Sequence, residues 1–288
     1  MTQSADLGFI GLGVMGAPMC RNLATRSGRR VVAFDRSATS LAAHVGPQAA
    51  SVGAVARDCA ILFLCLPSGV HVEAVVAEIL AVAVRRLAMV VDMGTSPVAM
   101  TRILATRLAA EGITWVDAPI ARTRQAAEDG TLSVMVGATE ADFAILQPLL
   151  ACMASDVTLC GLVGCGQAVK ILNNMVLVET VAALSEALAI GRGVGLNPAV
   201  LFDTLAKGSA DSFALRNHGM KAMLPGVFPE RAFSVAYARK DIGYALELAR
   251  DAGVDAAGAE RGAALLDAAS DAGCGDLYWP VVAKLFER

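Results

Sequence analysis

The chain has 288 residues, of which 56% are hydrophobic and 18% charged, and its formal net charge is −3. This length allows two domains, while the acidic balance argues against a nucleic-acid binder and no uninterrupted apolar run approaches the ~18 residues of a membrane helix. The seven cysteines form no C-x-x-C pair and the chain starts without a basic leader, so we expect a cytoplasmic protein with reduced thiols.

The first half of the chain alternates short apolar runs with helical patterns. Strands are predicted at "LGFIGLG", "RVVAFD", "AILFLCLP", "AMVVDMG", "TWVDAPI" and "LSVMVG". Helices are predicted at "APMCRNLATRS", "VHVEAVVAEILAVAVRR", "SPVAMTRILATRLAAEG" and "TEADFAILQPLLACMA". Continuously apolar strands suit a parallel sheet that helices cover on both faces. The alternation therefore predicts an α/β domain with a Rossmann-type, doubly wound parallel sheet.

The second half lacks a strand pattern from about Gly166 onward. Its longest segment, "QAVKILNNMVLVETVAALSEALAIGRGVG", has few and scattered polar residues, which predicts a helix buried nearly all round. We therefore predict an NAD-binding domain at 1–163 and an all-α substrate and oligomerisation domain at 164–288, joined by this long helix. Because so much of the helical domain is apolar, we also expect a homodimer or homotetramer.

A glycine-rich loop follows the first predicted strand. In "FIGLGVMGAPM", Gly11 permits a tight turn, Gly13 lets the backbone approach a pyrophosphate, and Gly16 lets helix and strand pack closely. The helix that follows offers its unpaired N–H groups to the phosphates. The loop predicted to bind a dinucleotide comprises Gly11, Leu12, Gly13, Val14, Met15 and Gly16.

The second predicted strand ends in "AFDRS". Asp35 lies close to the ~20 positions after the glycine loop at which a carboxylate bonds the adenosine ribose hydroxyls. A carboxylate there repels a 2′-phosphate, which favours NAD. The neighbouring Arg36 could stack on adenine or accept that phosphate, so NADP stays possible.

Two further loops follow strands at the edge of the sheet where such folds bind ligands. "CLPSG" places Leu66 and Pro67 beside the cofactor, and "DMGTSP" offers the hydroxyl of Thr95. The pair Ser96-Pro97 predicts a helix N-cap with proline at the first helical position.

The segment "GCGQAVKILNN" carries the strongest catalytic pattern. Lys170, Asn173 and Asn174 fall within one helical turn, and Lys170 and Asn174 share a face. Such groups are costly to bury without partners. A lysine whose pKa falls from ~10.4 toward neutrality, through burial and nearby cations, serves as general acid and base. The alternative is a lysine at a helix edge that reaches solvent.

These motifs, in this order, resemble the β-hydroxyacid dehydrogenases, the family of 3-hydroxyisobutyrate, tartronate semialdehyde and 6-phosphogluconate dehydrogenases. The resemblance covers nearly the whole chain and includes "DAPIARTRQAAEDGTLSVMVGA" and "ARKDIGYALELA". It implies an NAD(P)-dependent oxidoreductase acting on a short β-hydroxy acid or its semialdehyde. Lys170 is then the acid/base and Asn174, with Asn173, a substrate ligand, and Lys240 and Asp241 lie near the nicotinamide end.

One departure from the family pattern concerns the substrate loop. Most relatives read Asp-x-Pro-Val-Ser-Gly-Gly, whereas this chain has Ala121, Arg122 and Thr123 in place of Ser-Gly-Gly. A guanidinium binds oxyanions strongly, and a similar Gly-Arg-Thr occurs in sulfolactaldehyde reductase. We therefore predict a small anionic substrate, a carboxylate or sulfonate, held by these three residues. Arg124 has no family role and is interpreted as a solvated loop charge.

Other polar segments carry weaker signals. The loop "KGSADSF" at 207–213 could close over the substrate through Ser209 or Ser212. The three histidines, His44, His71 and His218, show no metal-like spacing, so no metal is expected. Two alternatives remain, an imine reductase-like NADPH enzyme and a non-catalytic dinucleotide-binding protein. The presence of Lys170 argues against the imine reductase, and the presence of both Lys170 and an intact glycine loop argues against the non-catalytic protein.

Overall fold

The computed structural model describes residues 6–230 and 232–287. Its contacts divide the chain into two compact units, the first ending at Lys170 and the second beginning at Ile171. The sequence-based boundary between residues 163 and 164 falls just before the helix that runs from one unit into the other.

The first unit is built on one sheet, which has eight strands in the described part of the chain. They are β1 Asp6–Ile10, β2 Val31–Phe34, β3 Cys59–Leu64, β4 Met89–Asp92, β5 Thr114–Asp117, β6 Ile120–Ala121, β7 Leu132–Gly137 and β8 Ala154–Gly161. The order is β2-β1-β3-β4-β5-β7-β6, with β8 also paired to β7. The first five strands in this order, from β2 through β1, β3 and β4 to β5, run parallel to one another. Strand β7 runs antiparallel to β5 and β6 and parallel to β8. The predicted Rossmann-type sheet is confirmed.

Helices cover both faces of this sheet. They are α1 Gly16–Arg26, α2 Ala38–Ala42, α3 Val52–Asp58, α4 Gly69–Leu80, α5 Val98–Ala109, α6 Arg124–Asp129 and α7 Glu140–Leu150. Alternate residues of one strand enter two different apolar cores: Phe63 lies in one, with Phe9, and Leu62 in the other, with Trp115. Burial on both faces is the reason that these strands are apolar throughout.

Strand β8 was not among the predicted strands. Its sequence interleaves polar residues such as Ser155, Asp156 and Thr158, and most of its residues are exposed or half-buried. A continuous apolar run marks only strands covered on both faces. A half-exposed strand that pairs with β7 alone therefore escapes this criterion.

The second unit is helical in its described residues, apart from isolated bridges such as Ser234 to Tyr278. It contains most of α8 Cys165–Gly193, then α9 Pro198–Leu205, a π-helical segment Leu215–Met223, α10 Val235–Asp251, α11 Ala257–Ala269, a π-helical turn Ser270–Cys274 and a 3-10 helix Trp279–Phe286. The predicted all-α second domain is confirmed.

The sequence predicts that helix α8 is buried nearly all round, whereas a single chain buries it on one side only. Val178, Val181 and Leu188 are buried, whereas Leu172, Val176 and Ile190 are exposed. The chain itself covers only one stripe of the helix, and composition does not distinguish such a helix from one buried on every side. By length and composition alone α8 could cross a membrane, a test that core helices of soluble proteins also pass.

Candidate functional site

The glycine loop joins β1 to α1 in a turn that two of its glycines make possible. Gly11 has a φ of +100°, and a Cβ added there would lie 2.2 Å from the carbonyl oxygen of Cys65. A Cβ on Gly16 would lie 1.9 Å from the carbonyl oxygen of Gly11. At Gly13 a Cβ would meet nothing within 4 Å. The loop is therefore closed on its inner side and open at Gly13, as an approaching pyrophosphate requires.

The other residues of the glycine loop also differ in how far they are exposed to solvent. Leu12 is buried, whereas Val14 is 49% exposed and Met15 half-buried. The backbone N–H of Leu12 donates to Asp35 Oδ2 over 2.6 Å, and that of Ser37 donates to Oδ1 over 2.7 Å. Two backbone donors thus fix the Asp35 carboxylate at the end of β2, beside the glycine loop.

Arg36 extends from the residue after Asp35 and forms an ion pair with Glu78 of α4. Both side chains are largely solvent-exposed, at 61% and 46%. In the structure its guanidinium therefore has a carboxylate partner.

The loop between β4 and α5 is fixed by a buried polar network. Ser96 Oγ donates to Asp92 Oδ2 over 2.8 Å, and Ser96 N donates to Gln167 Oε1 over 3.0 Å. Gln167 Nε2 donates in turn to the carbonyl oxygen of Gly94 over 2.8 Å. The half-buried Thr95 lies inside this tied segment. A sequence reading could have marked Gln167 only as a buried amide near the start of an apolar helix.

The prediction that Ser96 caps α5 was wrong. Pro97 occupies the N-cap position, and no side chain caps the helix there. The Ser96 residue lies one position before the N-cap, and its hydroxyl donates to the buried Asp92 carboxylate, which needs a partner in the protein interior. A Cβ on Gly94 would lie 2.9 Å from the Leu66 carbonyl oxygen, so this loop packs against the Leu66-Pro67 loop.

Asp117, at the end of β5, holds the start of α8. Its carboxylate is fully buried and accepts from Gly164 N over 2.7 Å and from Gln167 N over 2.8 Å. Burial raises the pKa of Asp117, and these backbone donors act in the opposite direction. A Cβ on Gly166 would lie 2.4 Å from the Met135 carbonyl oxygen. The first turn of α8 is thus fixed against the sheet, and the half-buried Lys170 follows one turn later.

The loop predicted to bind the substrate, residues 121–123, contains an unusual backbone conformation. Arg122 has a φ of +86° and is the one non-glycine residue with a positive φ in the described part of the chain. Ala121 pairs with Ser133 of β7, and Thr123 caps α6 by accepting from Ala126 N over 3.4 Å. Side chains rarely adopt this left-handed region, which glycine enters readily. Arg122 stands where most relatives have the first glycine of the family pattern.

The Arg122 guanidinium contacts β8 and the segment before β7. It donates to the Thr131 carbonyl oxygen over 2.6 Å and to Ser155 Oγ over 2.7 Å, and it forms an ion pair of 2.6 Å with Asp156. The Ser155 hydroxyl and the Arg122 guanidinium lower the pKa of Asp156. Arg124 is exposed at the first position of α6. A substrate anion has to displace these partners before it can bind the Arg122 guanidinium. The binding of an anion by Arg122 stays a prediction.

In the second unit, Asn174 and α10 form a compact polar cluster. Asn174 Nδ2 donates to Asp241 Oδ2 over 2.6 Å, and Asn173 Nδ2 donates to Asn174 Oδ1 over 3.0 Å. Asn174 and Asp241 are only 4% and 3% exposed. Lys240 Nζ lies 3.3 Å from Asp241 Oδ1 and over the rings of Tyr237 and Tyr244.

The remaining predicted candidates lie apart from these clusters. Ser209 is exposed, whereas Ser212 Oγ accepts from Leu215 N over 3.1 Å at the start of the π-helical segment. His218 contacts the Tyr278 hydroxyl through Nδ1, and burial lowers its pKa to about 4. Within residues 6–230 and 232–287, no group of three or more His, Cys, Asp or Glu side chains could hold a metal ion.

Comparison with known proteins gives matches over both units. Residues 6–161 match the model of the NAD binding domain of 6-phosphogluconate dehydrogenase. Residues 164–282 match the NAD-binding model of NADP-dependent 3-hydroxyisobutyrate dehydrogenase. The 2-(hydroxymethyl)glutarate dehydrogenase of Eubacterium barkeri is 38% identical, over 88% of this chain and 85% of that protein. The 3-hydroxyisobutyrate dehydrogenase of Pseudomonas aeruginosa is 34% identical over 84% of each.

Solved structures agree with these matches. The Mycobacterium tuberculosis 3-hydroxyisobutyrate dehydrogenase, solved with L-serine, superposes with a TM-score of 0.88, at 29% identity and over 99% of both chains. An imine reductase from Myxococcus stipitatus has a TM-score of 0.65 at 17% identity, covering 99% of this chain and 100% of that one, which shows a shared fold. The expectation of an NAD(P)-binding oxidoreductase is thereby confirmed, and the chain belongs to the β-hydroxyacid dehydrogenase family.

Proposed function

We propose that the protein interconverts a short anionic β-hydroxy acid and its semialdehyde, with Lys170 as general acid and base. One observation carries this proposal. Gln167, in the first turn of α8, is hydrogen-bonded to the loop that follows β4, at the edge where such sheets bind ligands. Lys170 follows Gln167 by three positions, so both side chains project from the same side of the helix.

The proton and the hydride come from different groups. The glycine loop with Leu66, Pro67 and Thr95 would hold a nicotinamide cofactor at this edge, and the cofactor would supply the hydride chemistry when bound. Lys170 donates the proton to the aldehyde oxygen and removes it from the hydroxyl in the reverse direction. Asn174, one helical turn further, accepts from the substrate hydroxyl, with Asn173 beside it. Lys240 carries the positive charge proposed near the nicotinamide end.

The acid group of the substrate is proposed to rest at Ala121, Arg122 and Thr123. In favour of this, Arg122 is 41% exposed in its side chain and has a guanidinium suited to a carboxylate or sulfonate. An incoming anion would compete with Asp156 for that guanidinium. The candidate substrates are 3-hydroxyisobutyrate, tartronate semialdehyde, sulfolactaldehyde and 2-(hydroxymethyl)glutarate, the last because a relative named for it is 38% identical.

The preferred cofactor is proposed to be NAD, with NADP as the alternative. The support comes from Asp35, whose carboxylate is fixed by two backbone donors where the adenosine ribose is expected. A negative charge in that place disfavours a 2′-phosphate. The loop residues Gly11 to Gly16, together with Leu66, Pro67 and Thr95, are the proposed contacts along the rest of the cofactor.

Replacing Lys170 tests the mechanism. We expect Lys170→Ala to lower kcat by about 100-fold or more, while NADH binding followed by nicotinamide fluorescence stays unchanged. The matched control is Lys221→Ala, which removes an exposed lysine of the π-helical segment. The wild-type assay uses carboxylate, sulfonate and phosphonate semialdehydes with NADH and NADPH, and cyclic imines as the rival substrates. Full activity of Lys170→Ala on a hydroxy acid would contradict the proposal, and turnover of imines alone would favour an imine reductase.

We also propose a cytoplasmic homodimer or homotetramer. The support is the row of exposed apolar side chains along α8, including Leu172, Val176 and Ile190, which are costly to leave in water. Light scattering at micromolar concentration should give a mass of two or four chains, and the mass of a single chain would contradict the proposal.

A further inference from the structure

We infer that Asp241 is a positioning residue, which fixes the orientation of the Asn174 side-chain amide so that its oxygen, and not its nitrogen, faces away from α10. The inference rests on the proposed function, because it assigns a task to Asn174 in that same reaction. It concerns two residues that are 67 positions apart in sequence and joined by a buried hydrogen bond.

The chemistry of the two partners allows only one orientation of the amide. An ionised carboxylate accepts hydrogen bonds and donates none, so the Asn174 nitrogen has to face Asp241. The contact from Asn174 Nδ2 to Asp241 Oδ2 measures 2.6 Å. At the other end of the amide, Asn173 Nδ2 donates to Asn174 Oδ1 over 3.0 Å. A flipped amide would lose both bonds and would set nitrogen against nitrogen at Asn173.

Burial makes this orientation energetically strict. Asn174 and Asp241 are 4% and 3% exposed, so water does not reach the hydrogen bond that joins them. A hydrogen bond to a charged acceptor in such a place is stronger than one between neutral groups. The carboxylate thus imposes one orientation on the amide, which an exposed asparagine would not keep.

Burial of the Asp241 carboxylate costs free energy, and the ammonium group of Lys240 lies close enough to offset part of this cost. Lys240 Nζ lies 3.3 Å from Asp241 Oδ1, within ion-pair distance although that oxygen makes no aligned hydrogen bond. The rings of Tyr237 and Tyr244 stand 5.2 and 5.5 Å from the same ammonium. Lys240 therefore places a positive charge beside the Asp241 carboxylate, and this carboxylate keeps the Asn174 nitrogen turned toward it.

The consequence for catalysis concerns which atom Asn174 presents. Its oxygen accepts from a hydroxyl or an ammonium, whereas a flipped amide would present N–H groups, which can only donate to a hydroxyl and cannot bond an ammonium. Lys170 precedes Asn174 by one helical turn, so the proposed acid and the proposed substrate ligand share one side of α8. By fixing the amide, Asp241 makes Asn174 an acceptor for the substrate hydroxyl.

The experiment is a double-mutant cycle between Asp241→Asn and Asn174→Ala. Asparagine at 241 has the same shape but can also donate, so the Asn174 amide can flip. In the wild-type background we expect Asp241→Asn to lower kcat by about 10- to 100-fold, as for other orienting partners of reactive groups, with KM changed by less than about threefold. In the Asn174→Ala background the same substitution should change kcat by less than about threefold.

Two measurements separate positioning from damage to the fold. Asp251→Asn makes the same substitution at an exposed position of α10 and should leave kcat unchanged. NADH affinity and the urea midpoint are recorded for every variant. If Asp241→Asn does not fold, Asp241→Ser, which removes the carboxylate without adding an amide, replaces it in the cycle.

A spectroscopic measurement keeps this inference distinct from the proposed function. In protein labelled with ¹⁵N-asparagine, the Asn174 side-chain NH₂ signals should shift on Asp241→Asn, whether or not any substrate is turned over. If the wild-type protein turned over no substrate of the panel, the proposed function would be refuted. The Asn174 NH₂ signals would still test the orientation of the amide, because they do not depend on turnover. An unshifted Asn174 signal, an unchanged kcat, or equal losses in both backgrounds of the cycle would overturn the positioning role of Asp241.

Discussion

Two loops of the first unit each contain a residue with left-handed backbone, Gly11 in the cofactor loop and Arg122 in the substrate loop. At Gly11 a side chain is impossible, because its Cβ would lie 2.2 Å from the Cys65 carbonyl oxygen. At Arg122 a long side chain is present and is bonded to Ser155 and Asp156. One loop is proposed to offer its backbone to a ligand, and the other keeps a left-handed conformation while adding a guanidinium.

The largest effect is expected at Gly11. The variant Gly11→Ala combines a left-handed alanine with a collision against backbone, so we expect it to lower the free energy of unfolding by about 3–5 kcal/mol. Urea unfolding followed by circular dichroism measures this change. A loss below about 1 kcal/mol would show that the turn adjusts easily and would remove the contrast with Arg122.

Gly13→Ala is the matched control in the same loop. Its added methyl group meets nothing within 4 Å, so the free energy of unfolding should change by less than about 1 kcal/mol. NADH affinity should nevertheless fall, because the methyl group projects where the pyrophosphate is proposed to approach the backbone. Unchanged affinity for NADH would place the phosphates elsewhere.

The tight turn of the glycine loop was predictable because its causes are local. Gly11, Gly13 and Gly16 meet a demand that arises within a few residues of the chain, and Asp35 follows at a spacing set by one strand and one helix. The apolar strands revealed the sheet for the same reason, since burial on both faces leaves a continuous signal. The half-exposed β8, with Ser155 and Asp156 on it, left no such signal.

The polar networks around the candidate site were not predictable, because their partners are distant in sequence. Ser96 and Gln167 are 71 positions apart, and Asn174 and Asp241 are 67 apart. Each residue has an adequate local interpretation by itself, such as the helix N-cap wrongly expected of Ser96. Only the folded chain shows which buried donor meets which acceptor, and hence which way the Asn174 amide is turned.

A smaller effect is expected when Arg122 is replaced in two ways. Arg122→Gly and Arg122→Ala remove the same guanidinium contacts, but only alanine retains the cost of a left-handed side chain. The glycine variant should therefore be more stable than the alanine variant by about 1–2 kcal/mol in urea unfolding. Both should raise KM for anionic semialdehydes and leave KM for a neutral aldehyde unchanged. If the glycine and alanine variants were equally stable, the loop would not hold φ of residue 122 near +86° in solution. If KM for a neutral aldehyde rose as much as KM for an anionic one, the anion-binding role would be refuted.

The smallest effect is expected at Glu78, which holds Arg36 at the cofactor end much as Asp156 holds Arg122 at the substrate loop. Glu78→Gln removes this partner and one negative charge, so Arg36 becomes available to a 2′-phosphate. Because the pair is exposed, its strength is about 0.2–1 kcal/mol, and the ratio of kcat/KM for NADPH to that for NADH should rise about two- to fivefold. Glu73→Gln, on the same helix but paired with Arg107, should leave the ratio unchanged. An unchanged ratio for Glu78→Gln would mean that Asp35 alone sets the cofactor preference and that Arg36 has no role in binding the 2′-phosphate.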